Sequence, residues 1–142
     1  MSMIATDKET GKVAWETNLG DGQPEVFFSA APLAVKDRIV TGASGGDWGV
    51  RDFIVALDAA TGKLAWRNYV IPAPGEPGSE TWKDKNNAWQ TGGGGMWVTG
   101  SYTNVGAGQS GCIMQITPVA CQAARCGKLG KLIDRGHSIP DA

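Results

Sequence analysis

The side chains of this sequence that could do chemistry fall in three places. Ser44, Gly45, Gly46 and Asp47 set a hydroxyl, two unobstructed backbone amides and a carboxylate in succession. Trp97 follows the glycine run Gly92 to Gly95, and Ser29 stands 15 residues before Ser44. Cys112, Cys121, Cys126 and the single His137 gather near the C-terminal end, separated by 8, 4 and 10 residues. On spacing alone, Trp97 reads as a core ring, Asp47 as a solvated turn carboxylate and Ser29 as a strand hydroxyl. Neither glycine run is a nucleotide loop. No Gly-Lys-Ser/Thr follows Gly95, and the stretch from Gly42 to Gly49 lacks both the GxGxxG order and the helix that a dinucleotide site needs. The Cys and His residues lack the short paired spacing of zinc modules, and three Cys cannot close a disulfide framework. His137 reads as a solvated side chain, and Arg51 as a structural ion-pair partner.

Composition narrows the function classes. The chain has 142 residues, 13 basic against 14 acidic, for a net charge of −1. That balance offers no electrostatic footprint for nucleic acid or an anionic membrane. No run approaches the ~18 apolar residues of a spanning helix. The opening MSMIATDKETG shows neither a basic n-region nor an apolar h-region, so no export leader is expected there. Hydrophobic residues make up 42%, enough for a core, while 21 Gly and 7 Pro make the chain rich in turns.

The elements that must position these residues are announced by an internal repeat. IATDKETGKVAW at residues 4–15 returns as VALDAATGKLAW at 55–66, with Asp7 recurring 51 residues later as Asp58. A period of roughly 40–50 residues built from short strands is that of a propeller blade. Each copy predicts a β-hairpin: an apolar strand ends at Asp7 or Asp58, Thr-Gly turns the chain with positive φ at Gly11 or Gly62, and a second strand carries Trp15 or Trp66. A large ring at a fixed repeat position is expected to lock neighbouring blades together. Between the copies, FFSAAPLAVKDRIVTGAS predicts two further strands around a Lys36-Asp37 turn. IPAPGEPGSETWKDKNNAWQ is a long loop that Trp82 and Trp89 should pin against something. Strand character is expected to resume around Trp97, Val98 and Tyr102.

Composition changes at Thr103. Every one of the six Trp, two Tyr and three Phe precedes it, whereas all Cys and the His follow. Residues 1–102 are therefore expected to form the organised, all-β part and 103–142 an irregular tail.

The two AxDxxTGKxxW copies resemble the tryptophan-docking repeats of the quinoprotein alcohol dehydrogenases, which use pyrroloquinoline quinone (PQQ). SAAPLAVKDRIVTGASGGDWGVRDFIVALDAATGKLAW is similar to that family's strand–turn–strand block and its Gly-Ala-Ser-Gly-Gly-Glu-type loop, and WQTGGGGMWVTGSY to its Gly-Gly-Gly segment leading to the cofactor-stacking Trp. The resemblance covers residues 4–102. It implies a partial β-propeller, about two blades of an eight-bladed ring beginning mid-blade, and hence a fragment of marginal stability on its own. It also implies site roles. Trp97 matches the ring that lies flat on PQQ; Ser44, Gly45 and Gly46 match the loop that binds the quinone oxygens; Ser29 matches a hydroxyl that bonds the cofactor. Asp47 matches the acidic ligand of Ca²⁺ or a lanthanide, with a shorter side chain than the usual Glu. The family's Gly-Asn-Pro segment and adjacent Cys pair do not occur in this sequence, nor does any pattern matching its later catalytic Asp. By resemblance the whole enzyme oxidises a small alcohol to an aldehyde in the periplasm and passes electrons to cytochrome c or a membrane quinone. A non-catalytic propeller scaffold shares the repeats but has no need of the Ser-Gly-Gly-Asp and Gly-Gly-Gly-x-x-Trp segments.

Overall fold

The structure is a computed structural model and describes residues 1–81, 85–103 and 112–114. The two repeat copies fold as the antiparallel hairpins β1 (Ser2–Thr6) with β2 (Val13–Asn18), and β5 (Phe53–Asp58) with β6 (Leu64–Tyr69). Their turns are built alike. One carboxylate oxygen of Asp7 accepts the Thr10 amide at 2.7 Å and its hydroxyl at 2.8 Å, and Asp58 does the same with Thr61 at 2.9 and 2.8 Å. Those Thr hydroxyls hold both carboxyls below the ordinary carboxylate range. Gly11 and Gly62 close the turns at φ of 69° and 70°. An irregularity in register, at Ala5/Thr6 and again at Ala56/Leu57, sets Trp15 opposite Ala5 and Trp66 opposite Ala56.

β3 (Leu33–Val35) and β4 (Arg38–Gly42) flank the Lys36-Asp37 turn, as expected, and complete a four-stranded antiparallel sheet in the order β3-β4-β5-β6. Successive side chains of β5 point to opposite faces, and both faces are apolar. Phe53, Val55 and Leu57 pack with Leu19 and Ala43 on one face, where Met3 and Trp15 of the first hairpin cover them. Ala56 joins Val35, Val40 and Trp66 on the other, against Leu33, Ile54 and Tyr102. A sheet that is apolar on both sides must be sandwiched between neighbours, which is the packing of a propeller blade.

Trp15 makes the joint between hairpin and blade. Its indole N–H donates to the Ala59 carbonyl at 3.0 Å, and the Thr17 hydroxyl donates to the Gly62 carbonyl at 2.6 Å. The repeat Trp of one unit thus sits on the turn of the next, as its position in the sequence requires.

Two expectations change. Trp97 and Val98 lie outside any strand; β7 starts only at Ser101 and runs to Thr103. Upstream of it the Met96 amide bonds to the Ala43 carbonyl at 2.9 Å, so this stretch crosses the end of β4 instead of pairing along a neighbour. β8 (Cys112–Met114), inside the segment for which the sequence predicts no regular structure, pairs antiparallel with β7. Three residues are too few to show a period. Trp82, Cys121, Cys126 and His137 lie outside the described residues.

Candidate cofactor site

The site grows from the C-terminal end of β4. A Cβ on Gly42 would lie 2.2 Å from Met96 Cβ and 2.8 Å from the Met96 carbonyl oxygen, so glycine alone lets the segment leading to Trp97 cross here. Gly42→Ala is expected to cost about 2 kcal/mol through displacement of that segment, read as a lower urea midpoint with a shifted Trp emission.

Beyond the crossing, Phe27 and Ser44 exchange backbone hydrogen bonds of 3.1 and 2.8 Å. That pairing brings Ser29 Oγ within 3.1 Å of Ser44 Oγ and lets it donate to the Trp97 carbonyl at 3.2 Å. Ser29, Ser44 and Trp97, drawn from three segments, therefore meet. Ser44 is buried, whereas the Trp97 indole is 53% exposed and has surface to offer a flat ligand.

The two glycine runs also meet. A Cβ at Gly46 would stand 2.9 Å from Gly93 Cα, and at Gly45, where φ is 128°, it would strike the Glu25 carbonyl oxygen at 2.6 Å. Gly93 is fastened to the strand side by its amide on the Val50 carbonyl and its carbonyl under the Asp52 amide, both at 3.0 Å. Only glycine lets two backbones pack this closely. Asp47 sits exposed in the single 3₁₀ turn Gly46–Trp48. Beside it Trp48, 63% exposed, meets Phe27 edge-on at 5.6 Å.

Sequence reasoning missed Asp52. It is fully buried, and neither carboxylate oxygen has a hydrogen-bond partner. Ideal Cβ atoms on Gly46 and Gly95 would come within 3.0 and 3.3 Å of its Oδ2. Burial pushes its pKa up to about 6; the Gly46 amide faces it without closing a hydrogen bond and pulls it partly back, and the Asp47 charge raises it further. The available signal was a carboxylate directly abutting the apolar run Phe53-Ile54-Val55-Ala56-Leu57.

Arg51 is structural, as its sequence context suggests. It pairs with Glu76 at 2.7 Å, donates to the Ile71 carbonyl at 2.9 Å, and lies 4.0 and 5.1 Å from the Tyr69 and Trp89 ring centroids. The long loop is thereby pinned at both ends, with Trp89 as one of its anchors.

Asp47, whose carboxylate stands in solvent, can offer an oxygen to a hard cation, whereas Asp52 is closed off beneath Gly46 and Gly95. Among the described residues, no three of His, Cys, Asp and Glu come together as a metal-binding group. Asp47 and Asp52 are thus the acidic groups this part of the chain brings. The exposed Trp97 indole offers a face to a flat ring system.

Residues 8–104 match the family model described as the PQQ glucose/ethanol/alcohol dehydrogenase β-propeller domain. The chain belongs to this family. A quinohemoprotein alcohol dehydrogenase of Pseudomonas putida is 37% identical over 112 residues, covering 70% of this chain and 16% of the relative. The crystal structure of the quinohemoprotein alcohol dehydrogenase of Comamonas testosteroni superposes with a TM-score of 0.63 at 33% identity, over 72% of this chain and 17% of that one. A europium-containing methanol dehydrogenase gives 0.63 at 32% identity, over 72% and 20%. The chain therefore spans between a sixth and a fifth of the proteins it matches. The described residues fold as a partial β-propeller. Among the described residues no helix is long and apolar enough to cross a membrane.

Proposed function

We propose that this chain forms one wall of the cofactor pocket of a PQQ-dependent alcohol dehydrogenase. The whole enzyme would oxidise a small alcohol to an aldehyde and hand electrons to a cytochrome c or a membrane quinone in the periplasm. The observation that carries this reading is the meeting of Ser29, Ser44 and Trp97 beside the joined glycine runs. PQQ held by these residues would supply a hydride acceptor for the alcohol, and a Ca²⁺ or lanthanide ion would supply Lewis acidity. The chain's own part is recognition. Trp97 supplies a flat face, Ser29 and Ser44 supply hydroxyls, and the amide of Gly45 supplies a donor for the quinone's oxygens. Asp47, with its carboxylate in solvent at the loop tip, supplies an oxygen ligand for the ion. Proton abstraction from the alcohol belongs to portions of the enzyme beyond this chain, so the chain alone is expected to bind without turnover.

Titration of the purified chain with PQQ, followed by quenching of Trp emission, tests this. Saturable quenching is expected; Trp97→Ala should remove it and Ser29→Ala weaken it several-fold, with no PQQ-dependent dye reduction by the chain alone. Absence of saturable quenching in the folded wild-type chain would sink the pocket assignment and favour a non-catalytic propeller. Dye reduction would refute the division of labour.

A further inference from the structure

We propose that residues 93–97 are a strap that lifts from the end of the sheet by local opening, and that the uncompensated carboxylate of Asp52 beneath it sets how readily it lifts. The strap lies outside any strand and is held by few bonds. The Gly93 amide donates to the Val50 carbonyl at 3.0 Å, the Gly93 carbonyl accepts from the Asp52 amide at 3.0 Å, and the Met96 amide donates to the Ala43 carbonyl at 2.9 Å. The Trp97 carbonyl accepts from the Ser29 hydroxyl at 3.2 Å. Little apolar surface adds to these bonds, since Gly93, Gly94 and Gly95 have no side chain and the Trp97 indole is half exposed. A segment so lightly held opens at a fraction of the cost of global unfolding. Asp52 lies under it, fully buried and with no hydrogen-bond partner on either oxygen. Ideal Cβ atoms on Gly95 and Gly46 would stand 3.3 and 3.0 Å from its Oδ2, so the carboxylate is wedged between the strap and the turn at Gly46. An ionised carboxylate without a donor recovers its hydration only when one of its covers moves away. The turn is bonded within itself, with the Trp48 and Val50 amides on the Gly45 carbonyl and the Gly49 amide on the Gly46 carbonyl, whereas the strap's backbone bonds all run to other segments. The strap is therefore the cover that yields. Trp97 rides on it, so each opening parts that residue from Ser29.

The test is amide hydrogen exchange of the full chain at pH 7.5, where a carboxyl with a pKa of about 6 is ionised, in water and in urea below the unfolding transition. Local opening exposes little surface, so exchange at the Gly93 and Met96 amides should be almost independent of urea, whereas the amides of β5, between β4 and β6, should accelerate with it. Asp52→Asn keeps the shape and removes the charge; Asp52→Ser repeats the removal with a smaller group in case the amide perturbs folding. In both variants the urea-independent exchange at Gly93 and Met96 is expected to slow at least about tenfold. Exchange there that follows urea as steeply as β5 would mean that the strap opens only when the whole chain unfolds. Unprotected Gly93 and Met96 amides in a chain whose β5 amides are protected would mean that it is never seated. Either result overturns the strap. Unchanged exchange in both variants overturns the role of Asp52, and slowing at Trp48 and Gly49 instead would show that the turn is the cover that yields.

Discussion

Asp52→Asn is expected to stabilise the folded chain by about 3 kcal/mol at pH 8 and by almost nothing at pH 4. The carboxyl has an ordinary value of 3.8 when unfolded and about 6 when folded. Between those values the folded state holds a proton that the unfolded state has released, so stability falls as pH rises through this window and stays low above it. A difference of about two pKa units corresponds to about 3 kcal/mol. Asp7 and Asp58 act in the opposite sense. Their pKa values are lowered, so their contribution is present above 3.8 and is lost only as pH falls below it, outside the Asp52 window. Urea midpoints across pH 4–8 should slope downward for the wild type and flatten for the variant. Parallel curves would show that the buried carboxylate carries no such penalty.

Removing the Trp15 ring is expected to cost about 3 kcal/mol, because the half-buried indole covers the sheet face and its N–H closes a bond to the Ala59 carbonyl. The repeat supplies an internal control. Gly11 and Gly62 have matching turns, with φ of 69° and 70°, so Ala at either position carries the same backbone strain. At Gly62 the added Cβ would also lie 2.5 Å from the Trp15 ring, whereas at Gly11 it meets nothing within 4 Å. Gly62→Ala should therefore lower the urea midpoint clearly more than Gly11→Ala. In a Trp15→Ala background the gap between the two glycine variants should narrow, leaving the approach of the Gly62 Cβ to the Thr17 hydroxyl oxygen at 2.8 Å as the remaining difference. Equal losses in the wild-type background would mean that the ring does not hold the turn.

Local signals were legible where the interaction itself is local. The Asp-x-x-Thr-Gly turns fold as read because carboxylate, hydroxyl and amides lie within a few residues of one another. The Lys36-Asp37 hairpin follows from turn chemistry in the same way. The site was legible only through resemblance: taken one at a time, Trp97, Asp47 and Ser29 read as core, turn and strand. Ser29 and the Trp97 backbone are joined across segments 68 residues apart, which no single stretch of sequence shows. The structure also shows why strand structure fails at Trp97 and Val98. Met96 crossing the backbone at Gly42 makes a close contact that no residue pattern encodes.

The sequence by itself determined the repeat, its two hairpin turns, the ring at each second strand and the family, because these depend on residue types at short, fixed separations. Only the tertiary structure decided that Asp52 is buried without a partner, that the glycine runs touch, and that Ser29 reaches both Ser44 and the Trp97 backbone. Each of those depends on which distant segments share a few ångströms of space. Burial and close approach are properties of the packed chain and leave no period in the order of its residues.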